Sequence, residues 1–278
     1  MSELLSYDFM QRALIAAFVT GIVAPAVGVF LVQRRLSLLG DGIGHAALTG
    51  VALGMLTGVA PLYTAIAVAV LGAVGIELIR VWGKANADVA LAILFYGGIA
   101  TGVLLANLAG ASAANLTSFL FGSLSTVSTS DLIIVVTLAT VAFALVIGLL
   151  PQLFAISYDE EHAQVSGIRV HLLAIVLAII AAVTVTVAMR TVGLLLVSAL
   201  MVVPVAAAQN LARSFKTTFI GAVLVGLASS IGGVVFSFQI DTQPGPTIVL
   251  VALLFFITAV VAARLMHRRV EHGRTAPH

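Results

Sequence analysis

Nine apolar segments follow one another along this chain and leave little polar surface for water. They lie at about residues 12–33, 42–59, 61–82, 88–109, 131–153, 170–189, 192–210, 217–238 and 246–266. Each is near the roughly 20 residues that cross a bilayer as a helix, and none alternates at period two as barrel strands do. With 61% hydrophobic and 9% charged residues, the chain cannot be an ordinary soluble domain. We predict an all-α polytopic membrane protein, folded as a single transmembrane domain over residues 1–278.

Two of the nine segments leave the number of spans open. The second is short and rich in glycine, and only Arg190 and Thr191 separate the sixth from the seventh. A broken or re-entrant helix is tolerated in a membrane where other protein covers it. We therefore expect eight or nine transmembrane helices.

The positions of the basic residues predict the orientation, because Lys and Arg concentrate in cytoplasmic loops. If all nine segments cross and the C-terminus is cytoplasmic, Arg12 and Arg190 lie outside. The other 11 of the 13 basic residues then lie inside: Arg34, Arg35, Arg80, Lys84, Arg169, Arg213, Lys216, Arg264, Arg268, Arg269 and Arg274. This count favours a cytoplasmic C-terminus.

The second segment carries an acidic residue and a histidine four residues apart, Asp41 and His45. That spacing is about one helical turn, so the two side chains share a helix face. Ionisable groups at membrane depth are costly unless they meet a cation, a proton path or each other. Carboxylate and imidazole together suit zinc, manganese or iron. From these residues alone, a metal site, a proton relay, and a helix-end aspartate beside a buried histidine all remain open.

Glycines recur at spacing four further along the same segment, at Gly50, Gly54 and Gly58. Such a ladder lets helix backbones approach closely in lipid. We predict helix packing as the role of these three glycines, which places the segment inside the bundle.

The loop between segments five and six carries an acidic cluster, Asp159, Glu160 and Glu161, on the side predicted to be cytoplasmic. Ser157 is a candidate cap for a short helix there, and Gly167 is a candidate end. Such a surface helix suits a soluble partner, while a solvated loop is the alternative.

Another acidic residue, Asp241, lies in the loop between segments eight and nine, on the side predicted to be outside.

Several kinds of chemistry are excluded by the sequence. There is no Cys, hence no disulfide and no thiolate metal site. No H-E-x-x-H motif is present, and no G-x-x-x-x-G-K-[ST] phosphate loop. Any ATP-driven activity therefore requires a separate subunit.

Six stretches in order resemble the permease subunits of ABC-type zinc/manganese/iron importers. They cover nearly the whole chain: LLGDGIGHAALTGVALG from Leu38, NADVALAILF with Asp88, SFLFGSLSTVSTSDL, SYDEEHAQVSG, VGLLLVSALMVVPVAAAQNLARS and DTQPGPTIVL. Thr49 departs from the family, which often has proline at this position.

The resemblance implies the fold of the cobalamin-type (type II) importer permeases, in a prokaryotic cell membrane. It implies a homodimer surrounded by lipid, cytoplasmic ATP-binding subunits, and an extracytoplasmic metal-binding protein, with no nucleic acid. The chain itself would be no enzyme and would hold no permanent cofactor; zinc, manganese or iron would be its cargo. Asp41 and His45 match the family's metal pair, and Asp241 matches an acidic residue near the outer pathway. The coupling helix, at about 157–167, would contact the ATPase through Ser157, Tyr158, Asp159, Glu160, Glu161, His162, Ala163 and Gly167.

One alternative to the importer hypothesis remains. A proton-coupled secondary transporter or channel would use the same Asp and His without an ATPase.

The relative positions of Asp41 and Asp241 are also open. Nine full spans place Asp41 near the inner face and Asp241 near the outer face. Either the second segment is discontinuous and carries Asp41 towards the midplane, which we prefer, or the two acids are successive stations.

Overall fold

The structure, a computed structural model, describes residues 7–81, 87–110, 118–123, 128–189 and 192–274. Within these ranges the chain forms eleven helices and a helical turn at 118–121. The helices are α1 (Asp8–Gln33), α2 (Leu39–Thr57), α3 (Pro61–Val81), α4 (Ala87–Leu108), α5 (Thr129–Gly148), α6 (Leu150–Tyr158), α7 (Glu160–Val165), α8 (Val170–Ala188), α9 (Leu194–Leu211), α10 (Phe215–Gln239) and α11 (Pro244–Arg274).

Eight of the described helices are long and apolar enough to cross a membrane, and α9 contributes a shorter apolar stretch, Leu196–Leu211. The prediction of an all-α polytopic protein with eight or nine transmembrane helices is confirmed. The apolar segments coincide with these helices, except that the fifth divides near Leu149 into α5 and α6.

The core of the bundle forms around α1, α2 and α8, whose residues are mostly buried, whereas less than a third of the residues of α4, α5 and α11 are buried. Helices α1 and α10 run antiparallel along most of their length. The rings of Phe9 and Phe238 lie 6.3 Å apart near one end of the pair. Gly21 meets Ser230 near the middle, and the rings of Phe30 and Phe219 lie 6.3 Å apart near the other end.

Helix α2 packs antiparallel on α3 through two of the predicted glycines. A Cβ on Gly50 would lie 2.5 Å from the carbonyl oxygen of Thr64 and 2.6 Å from the Cα of Ala65. A Cβ on Gly54 would lie 2.8 Å from the Cα of Pro61. No side chain fits at either position without separating the two helices.

Gly58 was wrongly assigned to this packing. It lies just past the end of α2 with φ of 73°, and nothing lies within 4 Å of the position of its missing Cβ. Its role is to end the helix in the left-handed conformation that glycine adopts without steric cost.

The preference for a discontinuous second segment was also wrong. Helix α2 is continuous from Leu39 to Thr57. It contains no proline, so no backbone donor is lost along it. Its glycines have neighbouring helices against them instead of opening the backbone to solvent or lipid.

The acidic loop folds as two short helices, α6 and α7, and the cap of α7 is Asp159 rather than Ser157. The Asp159 carboxylate accepts from the backbone N–H of His162 at 2.9 Å. Ser157 lies inside α6, because that helix continues to Tyr158. Gly167, with φ of 82°, follows α7 as predicted, and the N–H of Ile168 bonds back to the carbonyl of Ala163.

An ion pair connects this segment to the end of α1. Arg34 places its guanidinium 3.4 Å from the carboxylate of Glu160, and the Arg34 side chain is only 4% exposed. Glu160 is half exposed. The first residue of α7 is thus tied to the corner that leads from α1 into α2.

Some sequence-based assignments fall outside the described residues. Lys84 and Arg190 lie outside the described ranges, and the side chains of Asp88, Arg268, Arg269 and Arg274 are not described either.

The packing of α2 on α3 predicts different outcomes for two glycine substitutions. Gly50→Ala should lower the thermal stability of the detergent-solubilised protein, with a cost of about 1–3 kcal/mol for overpacking a backbone contact. Gly75→Ala on α3 is the matched control, because nothing lies within 4 Å of its Cβ position. It should be neutral or stabilising by up to about 1 kcal/mol. Equal melting temperatures for the two variants would contradict the packing.

Candidate functional site: a carboxylate and an imidazole on α2

Asp41 lies in the first turn of α2, where the partial positive charge of the helix N-terminus favours a carboxylate. Its side chain is half-buried and accepts a hydrogen bond from the hydroxyl of Ser198 on α9. It also lines a cavity of about 350 Å³ with Leu38, Leu91, Ala92, Phe95 and Tyr96. The carboxylate is therefore the charged group of an otherwise largely apolar cavity between α2 and α4.

His45 lies one turn further along α2 and is 8% exposed. The ring of Phe95 meets it edge-on, with centroids 4.5 Å apart and planes at 80°. Its Nδ1 atom is buried and has no hydrogen-bond partner among the described residues. Because buried polar atoms normally have a partner, this nitrogen is available to a group that the protein does not supply.

Close contact with α4 brings Phe95 against His45. A Cβ on Gly98 would lie 2.7 Å from the carbonyl carbon of His45, so the two backbones touch there. The hydroxyl of Thr49 donates to the carbonyl of Gly98 at 2.9 Å. Thr49 thus contributes a hydrogen bond between α2 and α4.

Asp241 lies in another part of the molecule, just after α10. It lines a cavity of about 960 Å³, together with Phe9, Gly122, Ser237 and Gln243 among others. Its φ of 52° places it in the left-handed region, and the N–H of the following Thr242 bonds to the carbonyl of Ser237. Aspartate tolerates this conformation better than most residues, so Asp241 also ends α10.

The structure brings Asp41 and His45 together and leaves Asp241 apart from them. The two cavities flank opposite ends of α1, at Phe9 and at Leu38, and a helix of 26 residues is about 39 Å long. Among the described residues, no three His, Asp or Glu side chains gather into a group that could hold a metal ion. Asp41 and His45 are therefore candidate ligands that stand as a pair, one helical turn apart on α2.

Two polar residues at membrane depth were missed by the sequence analysis. Ser198 was quoted within a motif but not singled out, although a hydroxyl in an apolar segment is a usable signal. Glu77 on α3 is 4% exposed and pairs with Arg80 at 2.7 Å. Its i,i+3 spacing to Arg80 could have revealed this pair, which satisfies both charges locally.

The model of the ABC 3 transport family matches residues 6–263. The chain belongs to the ABC 3 transport family. Among its relatives is the manganese import system permease protein ScaB of Streptococcus gordonii, 32% identical and covering 95% of this chain and 96% of that protein. The chelated iron transport system membrane protein YfeD of Yersinia pestis is 32% identical over 94% of this chain and 88% of its own length.

A solved structure is also similar to this ABC 3 family member. PsaBC from Streptococcus pneumoniae, in complex with a Fab, matches with a TM-score of 0.84 and 32% identity, over 93% of each chain. The predicted resemblance to metal-importer permeases is confirmed by these matches. They extend over nearly the whole chain, so the bundle as a whole is shared.

Because Asp241 adopts a left-handed backbone conformation, two substitutions can distinguish the effect of its backbone on stability from the effect of its charge. Asp241→Asn removes the charge but keeps a residue that tolerates this conformation, so thermal stability should hardly change. Asp241→Ala should cost about 1 kcal/mol, because an ordinary side chain is strained there. Thermal unfolding in detergent measures both variants. An equal loss of stability in both would show that the carboxylate, not the backbone, stabilises this turn.

Proposed function

We propose that this chain is the transmembrane permease subunit of an ATP-driven importer of divalent transition metal ions. The observation that carries the proposal is its full-length similarity to metal-transport permeases, PsaBC among them. One relative is a manganese import system permease protein, and another is a chelated iron transport system membrane protein. The cargo is therefore proposed as a class, namely manganese, iron or zinc.

In this proposal Asp41 and His45 bind the ion on its way through the membrane. The Asp41 carboxylate on a cavity supports this role. So does the buried imidazole nitrogen of His45, which has no partner in the described part of the chain. The donor set of one oxygen and one nitrogen suits the divalent ions from manganese to zinc better than calcium or magnesium, which prefer oxygen ligands only.

Asp241 would act as an earlier station, at the outer mouth. It places a carboxylate on the larger cavity, which flanks the N-terminal end of α1. With a cytoplasmic C-terminus, this end faces outwards, where an extracytoplasmic metal-binding protein would deliver its ion. A negative charge at such a mouth raises the local concentration of cations.

The segment from Ser157 to Gly167 would contact cytoplasmic ATP-binding subunits. Tyr158 and Val165 are 81% and 87% exposed, which leaves large apolar side chains beside the acidic residues. The Arg34–Glu160 ion pair would transmit movement of α7 to the corner before α2. A second copy of the chain and lipid would cover the exposed faces of α4, α5 and α11.

Reconstitution in liposomes tests the need for a partner. With the matching metal-binding protein outside and the matching ATP-binding subunit, the protein should take up Mn²⁺ only when ATP is supplied on the side of that subunit. Without it, neither ATP hydrolysis nor uptake should be measurable. Proton-driven Mn²⁺ uptake by this chain alone would instead establish a secondary transporter.

Substitution of the α2 pair tests the pathway in the same liposomes. Asp41→Asn and His45→Gln should each lower ATP-driven Mn²⁺ uptake at least about tenfold, since losing even a group that only orients a metal ligand typically costs that much. Asp8→Asn and His171→Gln are matched controls, because both residues are exposed. Their uptake should stay at the unsubstituted rate. Normal uptake by Asp41→Asn combined with His45→Gln would remove the pair from the pathway.

A further inference from the structure

Ser198 makes a contact that is unusual for a hydroxyl in a transmembrane helix. Buried hydroxyls commonly donate to a carbonyl of their own helix, as Thr184 does to Ile180 and Ser229 to Val225. Ser198 donates instead to the Asp41 carboxylate on a helix 157 residues away in sequence. The residue is 8% exposed, so the hydrogen bond lies inside the bundle.

The short serine side chain reaches Asp41 because α2 and α9 approach closely at this point. A Cβ on Gly40 would lie 3.2 Å from the Cβ of Ser198. One turn further along α2, a Cβ on Gly44 would lie 3.5 Å from the carbonyl oxygen of Leu194. These two contacts hold α9 along the same part of α2 that carries Asp41.

We propose that Ser198 is a positioning residue for the transported cation. Its hydroxyl holds one oxygen of the Asp41 carboxylate. Asp41 also lines the cavity, so its second oxygen is the one left to bind the ion. This inference rests on the proposed function, in which Asp41 binds the ion. Partners that orient a metal-binding carboxylate typically change metal affinity by about 10–100-fold.

A neutral donor suits this role better than a charged one. An ionised carboxylate in an apolar cavity requires a hydrogen-bond donor, since burial without one is costly. Lysine or arginine would supply the donor but cancel the negative charge that attracts a divalent cation. Serine stabilises the carboxylate and leaves its full charge available to the ion.

The test is Ser198→Ala in the complete transporter, reconstituted with its ATP-binding subunit and its metal-binding protein. The KM for Mn²⁺ should rise about tenfold, while the maximal rate per transporter stays unchanged. A merely structural role would lower the amount of folded transporter without changing KM. Ser230→Ala is the matched control: Ser230 is fully buried and donates to the carbonyl of Ala17 on α1, away from the cavity. Its KM should equal that of the unsubstituted protein.

Asp41→Asn in the same assay distinguishes a failure of the positioning role of Ser198 from a failure of the pathway role of Asp41. Suppose that Asp41→Asn impairs uptake while the KM of Ser198→Ala stays within about twofold of normal. That change is smaller than the loss of a typical hydrogen bond produces. The positioning role of Ser198 is then overturned, and the pathway role of Asp41 stands. An equal rise in KM for Ser230→Ala also overturns it. If Asp41→Asn leaves uptake and KM unchanged, the pathway role of Asp41 fails, and the inference fails with it.

Discussion

Close backbone contact around α2 is the constraint on which the rest of the structure depends. Lipid provides no hydrophobic force between helices, so α2 is held by packing and interhelical hydrogen bonds. Gly50 and Gly54 on α2 let α3 approach closely, and Gly40 lets α9 do so. Gly98 lies on α4 and lets that helix touch the α2 backbone. A side chain at Gly50, Gly54 or Gly98 would meet the backbone of the facing helix at less than 3.0 Å and separate two helices, and one at Gly40 would press on Ser198 at 3.2 Å. The enclosure that they create keeps Asp41 and His45 against protein instead of hydrocarbon, where their cost would be highest.

The helices were predictable from sequence because apolar length is imposed directly by the bilayer. Contacts between distant segments were not predictable in this way. The bond between Ser198 and Asp41 depends on how α9 crosses α2. The cap of α7 shows the same limit on a smaller scale. Serine and aspartate are both good caps, and burial of Leu153 and Ile156 continues α6 past Ser157, which leaves Asp159 as the cap.

The separation of Asp41 from Asp241 follows from the continuity of α2. A break in α2 would have let Asp41 move towards the midplane, but the helix is unbroken and its acidic residue remains near the α1–α2 corner. Asp241 is held at the other end of α1 by the turn after α10. Two acids on two cavities favour successive stations over one shared site. Asp241 serves the fold and the proposed function together, because one residue both ends a helix and places a charge at the outer mouth.

A two-ligand site suits transport better than a complete metal site would. Structural zinc sites use four protein ligands and retain their ion. A pathway must bind an ion strongly enough to admit it and weakly enough to release it. With one carboxylate and one imidazole, the ion would keep part of its coordination shell as water and could exchange quickly. A neutral hydroxyl behind the carboxylate would orient this minimal site without adding a ligand, so that affinity could rise without trapping the cargo.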